Sequence, residues 1–144
     1  MSWRFMTSED ILTVMSISGE VWGTDYFEGV ETFSNKLKYF PAGCKIYDNS
    51  GYLFSHPWTL YSPPRLDEPL VTTYHIHDIA LLPSIRNKGL CSGIVEEIIS
   101  NYSVVTLVAA NNTESFWQRF GFEILSEENY GKYMIRHQEK ISKS

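Results

Sequence analysis

The chain predicts an α/β fold built on a mixed sheet, and three observations carry that reading. Strand-like apolar runs alternate with helical periodicities along the chain. Asp48-Asn49-Ser50-Gly51 is a hairpin signal between two apolar segments. Between His75 and Glu97 an apolar strand passes through a Pro-led turn and an Arg-x-x-Gly-x-Cys loop into a helix. The length of 144 residues, with 43% hydrophobic and 20% charged content, predicts one globular domain over residues 1–144. Residues 137–144 are polar and predict a frayed tail.

In order, Met1 to Met6 reads as an opening strand. Thr7 or Ser8 caps a helix that runs through Ile11, Leu12 and Met15 toward Val21. A turn-rich loop from Gly23 to Gly29 carries Asp25, Tyr26, Phe27 and Glu28. A second helix spans Val30 to Tyr39, and Pro41 stops it. Strands follow at Cys44 to Tyr47 and Tyr52 to Tyr61, then a stiff connection with Pro63, Pro64 and Pro69, then a strand from Val71 to Leu82. Leu90, Ile94 and Ile98 recur at helical spacing and define the next helix. The chain closes with a strand at Val104 to Ala109, a helix at Thr113 to Phe120 ended by Gly121, and strands near Phe122 to Leu125 and Lys132 to Arg136. No repeat or low-complexity tract interrupts this order.

The Arg86 to Ser92 loop has the chemistry of an anion site. It gathers backbone N–H groups at a helix N-terminus, where unpaired donors and the positive end of the helix dipole favour a phosphate. The alternative is a simple turn at Gly89 with Arg86 and Lys88 as solvated charges. The preceding strand and the following periodic helix favour the phosphate reading.

Net charge and cysteine usage narrow the rest. A formal charge of -5 argues against a nucleic-acid partner and suits a cationic one. Trp3, Arg4 and Phe5 lead directly into polar residues, unlike a secretory leader, and no apolar run reaches the length of a membrane span. Cys44 and Cys91 stand far apart and in no metal-ligand spacing, which predicts a reduced, cytoplasmic protein without a metal.

The residues of the second half resemble the GNAT N-acetyltransferase superfamily. The strand, loop and helix of Ile79 to Ile99 are one part of the likeness. Val105 to Ala109, Asn111-Asn112 and Phe116-Trp117-Gln118-Arg119-Phe120-Gly121-Phe122 are the other. The resemblance implies a twisted mixed sheet whose two central parallel strands, Tyr74 to Leu82 and Val104 to Ala109, splay apart around acetyl-CoA. It implies that backbone groups of Ile79, Ala80 and Leu81 pair with the pantetheine arm. Arg86, Asn87, Lys88, Gly89, Leu90, Cys91 and Ser92 would surround the pyrophosphate, and Asn111, or Asn112 if the register shifts by one, would contact the cofactor. Cys91 takes the family's small-residue position; the alternative is a thiolate favoured by the helix N-terminus.

His75-Ile76-His77 is similar to the His-x-His run of serotonin (arylalkylamine) N-acetyltransferase, which implies a water-mediated proton relay through His77 helped by His75. An alkylammonium must lose a proton before it attacks a thioester, and imidazole suits that task. Asp78 reads as a structural acceptor, and most of the aromatics around the middle strands read as packing residues. Many relatives place a Tyr where this chain has Trp117, and indole has no useful dissociable proton. Tyr130 is the candidate acid, because Tyr133 lies within an apolar strand; solvent is the other proton source. Asp25, Tyr26 and Glu28 are candidates for acceptor binding.

The expected activity is transfer of an acetyl group from acetyl-CoA to an amine by direct attack in a ternary complex. The expected acceptor is a small cationic amine. A catalytically silent acyl-CoA-binding module and a protein or peptide N-acetyltransferase stay open as alternatives, as does a homodimer.

Overall fold

The computed structural model describes residues 2–23, 29–57, 73–110, 112–128 and 131–138. Among the described residues there are seven strands and four α-helices, with strands in the hydrogen-bonded order β1-β2-β3-β4-β5-β7-β6. The chain divides into two compact units, Met1–His56 with His77–Ser92, and Pro57–Ile76 with Gly93–Ser144.

The first unit opens with β1 (Trp3–Phe5) and a 3-10 turn, Ser8–Asp10. Thr7 precedes that turn, and its amide donates to the Asp10 carboxylate at 2.8 Å. Arg4 holds the same carboxylate by a two-pronged contact of 2.7 and 2.9 Å, so the carboxyl titrates below its ordinary range. Helix α1 (Ile11–Trp22) then buries Ile11, Val14, Ile17 and Ser18 on one face, and α2 (Val30–Tyr39) buries Phe33 and Leu37. Pro41 starts a 3-10 turn and ends α2, because its ring removes a donor and cannot continue the helix.

Strands β2 (Cys44–Tyr47) and β3 (Gly51–Pro57) pair antiparallel, and Ser50 N–H closes the turn on Tyr47 O at 3.0 Å. β1 adds antiparallel to β2, with Trp3 opposite Tyr47. The core of this unit joins Val14, Ile17, Phe33, Ile46, Tyr52, Phe54 and Ala80. Phe33 stacks on Phe54 with ring centroids 5.4 Å apart. At Gly51 an added Cβ would stand 2.6 Å from the Leu81 side chain, so this position admits no side chain without displacing Leu81.

β4 (Thr73–Leu81) passes from the second unit into the first. In the second unit its residues Thr73 to Ile76 pair parallel with Val104 to Leu107 of β5 (Val104–Ala109). That ladder has its last rung at Ile76 and Leu107. β7 (Gly131–His137) pairs antiparallel with β5 along its whole length, and β6 (Glu123–Glu128) pairs antiparallel with β7, with an irregularity between Ile124 and Ser126.

Helix α3 (Leu90–Asn101) buries Ile94, Val95 and Ile98 at the spacing of one face. Helix α4 (Glu114–Gln118) is shorter than its pattern predicts. Its end tightens into i→i+3 bonds, Phe120 N–H to Trp117 O and Gly121 N–H to Gln118 O. At its start the Thr113 hydroxyl donates to Ala110 O, which turns the backbone away from a further helical residue. No helix among the described residues is long and apolar enough to cross a membrane.

Candidate active site

The first unit assembles a strand, a loop and a helix start from His77 to Ser92. Ile79, Ala80 and Leu81 close β4, with Ala80 buried in the core and Ile79 and Leu81 half-buried. Leu82 N–H donates to Ser50 O at 2.7 Å and ties the strand end to the β2–β3 turn. A 3-10 turn at Pro83–Ile85 follows, and Arg86 N–H closes it on Pro83 O.

Arg86 then serves the loop itself. Its Nε donates to Leu81 O at 2.9 Å, which spans the turn and fixes one face of the guanidinium. That bond engages the Leu81 carbonyl. Beyond Arg86 the backbone enters the left-handed region at Asn87 (φ 63) and Gly89 (φ 76). Left-handed residues interleaved in a tight loop turn successive N–H groups toward a common concavity. A Cβ built on Gly89 would meet nothing within 4 Å, so the space over this position is open.

Helix α3 begins at Leu90 with no acidic residue in its first turn. Its first amides have no acceptor within the helix, and its dipole presents positive charge to the loop. Trp3 Nε1 donates to Leu90 O at 3.3 Å and ties this helix start to β1. The Trp3 ring meets Tyr47 edge-on, with centroids 5.5 Å apart. Lys88 and Asn87 are exposed, while Cys91 and Ser92 are half-buried. Burial pushes the Cys91 thiol up to about 11, against any thiolate character from the helix end.

The two histidines of the His-x-His run have different surroundings. His75 lies in the second unit, 3% exposed, with Nδ1 2.8 Å from the Thr106 hydroxyl that faces it across the β4–β5 ladder. His77 lies in the first unit, half-buried, with its ring centroid 6.2 Å from that of His56. Tyr39 stands edge-on to His56 at 5.4 Å.

His56 went unnoticed in the sequence because it sits at the end of a strand with no motif around it. Its nearness to His77 depends on β3 lying next to β4 in the sheet, which no local pattern signals.

Asp78 accepts hydrogen bonds from two aromatic side chains. Trp22 Nε1 donates to one carboxylate oxygen at 3.2 Å and the Tyr52 hydroxyl to the other at 2.7 Å. Burial and the adjacent Asp78 charge push the Tyr52 phenol upward, so it stays a proton donor. This cluster ties the end of α1 to β3 and β4.

In the second unit Trp117 is 7% exposed and meets Phe116 and Phe122 edge-on. It is a packing residue. Tyr133 is buried within β7. Lys132 pairs with Glu114 at 2.9 Å across the start of α4, which lowers the Glu114 carboxyl. Tyr130, Asn111, Asp25, Tyr26 and Glu28 lie outside the described residues.

No protein-family model and no curated protein matches the chain by sequence. Solved structures do match it by fold. The loading GNATL domain of CurA from Lyngbya majuscula aligns with a TM-score of 0.76 at 15% identity, covering 94% of this chain and 96% of that one. Ard1 from Thermoplasma volcanium aligns at 0.75 and 18% identity, covering 96% and 98%. The GphF GNAT-like decarboxylase in complex with isobutyryl-CoA aligns at 0.75 and 11% identity, covering 95% and 99%. At such identities the likeness is one of architecture, and the chain has the fold of a GNAT domain.

Proposed function

We propose that the protein is an acetyl-CoA-dependent N-acetyltransferase acting on a small cationic amine. The observation that carries the cofactor reading is the loop at the start of α3. Asn87 and Gly89 are left-handed, the space over Gly89 is open, and the helix beneath has no acid in its first turn. A pyrophosphate needs such a place, because its oxygens accept from several backbone amides at once and a Cβ would hold them off.

Backbone groups of Ile79, Ala80 and Leu81 then line the pantetheine arm, and the Asn87 to Ser92 amides take the diphosphate. Arg86 steadies the loop through Leu81 O and keeps its outer nitrogens for phosphate. Acetyl-CoA supplies the activated acyl group. His77 accepts the proton that an ammonium acceptor must lose, and its half-buried place on β4, next to the cofactor-lining residues, is the ground for that role. Asp25, Tyr26 and Glu28 attract the cation. Tyr130 returns a proton to the leaving thiolate.

A second reading draws on Trp117. Its buried indole offers no proton from α4, which fits an acyl-CoA-binding module that transfers nothing. Among the structures of like fold is one described as a decarboxylase, so the fold by itself does not select the reaction.

One experiment separates these readings. Titration calorimetry with acetyl-CoA is combined with an assay of free thiol release against small alkylamines, arylalkylamines and peptides with free N-termini. Binding with amine-dependent release supports the transferase, and faster release with small amines than with peptides supports the acceptor class. Binding without release from any amine supports the module, and absence of binding overturns both.

A further inference from the structure

His56 has no part in the proposed chemistry. It closes β3 in the first unit, half-buried, with its ring 6.2 Å from His77 and tilted 33° to it. Tyr39, a residue 53% exposed, stands edge-on to His56 with ring centroids 5.4 Å apart. His77, His56 and Tyr39 are thus successive ring neighbours, and Tyr39 is exposed to bulk water.

A base that takes a proton from each acceptor must pass it on before the next turnover. His75 is poorly placed to receive it: its Nδ1 is engaged by Thr106 and its ring is buried in the β4–β5 ladder. Between His77 and His56 the ring separation suits a single bridging water with hydrogen bonds of roughly 2.8 Å on each side.

The nearby charged groups have other engagements. Asp78, next to His77, accepts from Trp22 and Tyr52. Lys36, on α2, lies over the Phe33 and Phe54 rings at 5.6 and 5.9 Å. Tyr39 is a phenol that loses its proton only well above the range in which imidazoles titrate.

We propose that His56 is the outlet of a two-imidazole proton path, receiving through water the proton that His77 takes from the acceptor amine and releasing it to solvent beside Tyr39. The inference rests on the transferase reading. In the step, an ammonium N–H bond breaks and an N–H bond forms on His77. The opposite nitrogen of His77 gives up its proton through water to His56, which loses one to bulk water. The amine lone pair so freed forms the N–C bond to the acyl carbon as the C–S bond breaks and sulfur leaves with the electron pair; the acylated nitrogen then loses its second proton and the thiolate takes one up, which gives the neutral amide and the free thiol of CoA. His56 acts through His77, so it is a positioning residue in a path rather than a group that touches substrate.

The test is a double-mutant cycle on kcat with His56→Gln, His77→Gln and the double variant, at low buffer concentration and across pH. The expected His56→Gln result is a kcat about tenfold lower with KM for both substrates unchanged, a shifted acid limb, and recovery on adding imidazole. The double variant should be no slower than His77→Gln alone, because both residues lie on one path. Additive losses, or a His56→Gln protein with unchanged kcat, profile and buffer dependence in an active background, overturn the path while leaving the transferase reading in place. A wild type that releases no thiol with any amine overturns the reading and the path together. If His56→Gln does not fold, the proton inventory of wild-type kcat in mixed light and heavy water decides: a curved dependence supports transfer through two imidazoles and a linear one overturns it.

Discussion

Gly89 gives the sharpest prediction, because two effects of one substitution separate in different assays. Its φ of 76 lies where an L side chain is strained, and nothing in the protein stands within 4 Å of an added Cβ. Gly89→Ala should therefore cost only the left-handed strain, roughly 1–2 kcal/mol of stability, without any clash inside the folded chain. For a domain of this size that lowers Tm by a few degrees, about 3 °C per kcal/mol.

Acetyl-CoA binding should suffer separately. If the open space is where a phosphate oxygen reaches the loop amides, the methyl group displaces it from at least one charge-assisted hydrogen bond, worth about 1.5–3 kcal/mol. The Kd should rise by roughly 10- to 150-fold. Gly89→Glu adds a like charge near the diphosphate and should weaken binding further, by about 1 kcal/mol for each charge pair some 4 Å apart in water. Calorimetry with acetyl-CoA and with S-acetylpantetheine, at one ionic strength, isolates the phosphate contribution. The loss should be large for acetyl-CoA and absent for the fragment, which has no pyrophosphate. A folded Gly89→Glu protein with wild-type affinity, or equal losses for both ligands, would refute the assignment of this loop to phosphate.

Three further outcomes follow from named contacts. Trp3→Phe removes the indole donor to Leu90 O but keeps the ring on Tyr47, so KM for acetyl-CoA should rise several-fold at unchanged kcat, as a lost bond of about 1 kcal/mol implies; an unchanged KM would mean that β1 has no hold on the loop. With its thiol pushed up to about 11, Cys91 should exist as thiolate in only about one molecule in a thousand at pH 8. Its alkylation by iodoacetamide, followed by peptide mapping to separate Cys44, should be slow and rise about tenfold per pH unit, and rapid reaction at pH 8 would contradict the burial. Asp10 is depressed in the folded state by Arg4, so its contribution to stability is present above its unfolded value of about 4 and lost as pH falls through the folded one. Asp10→Asn should flatten the decline of Tm below about pH 4, and an identical acid limb in the variant would remove Asp10 from it.

Much of the fold was legible because its signals are local. Val30 to Tyr39 and Val104 to Ala109 were readable to the residue, since a helical period stopped by Pro41 and an apolar run between polar turns leave little choice. The hairpin at Asp48 to Gly51 and the strand, loop and helix around Gly89 were readable for the same reason. What was illegible depends on contacts between distant segments. Trp3 reaches Leu90 across most of the first unit's sequence, and neither residue signals the other. His75 and His77 look alike two positions apart, yet a threonine on β5 takes one and a histidine on β3 neighbours the other. The shortening of α4 was hidden because its last turn tightens into i→i+3 bonds at Phe120 and Gly121, which the apolar pattern does not signal.

The loop is the part of the site for which rigidity can be argued from contacts. Four anchors converge on it: Leu82 N–H on Ser50 O, Arg86 N–H on Pro83 O, Arg86 Nε on Leu81 O, and Trp3 Nε1 on Leu90 O. They fix the strand end, the turn and the helix start that frame Asn87 to Gly89, and leave the left-handed residues between them without side-chain bulk over Gly89. A loop held in this way loses little conformational entropy when an anion arrives, so more of the interaction with the amides appears as affinity. In the proposed site Arg86 has a divided task. One edge of its guanidinium is committed to Leu81 O, and only the remaining nitrogens can meet a phosphate, so Arg86 shapes the loop as well as contributing charge. Lysine in its place would keep the charge and lose the brace, because a single ammonium cannot hold a carbonyl in the plane of a fork and face a phosphate at once.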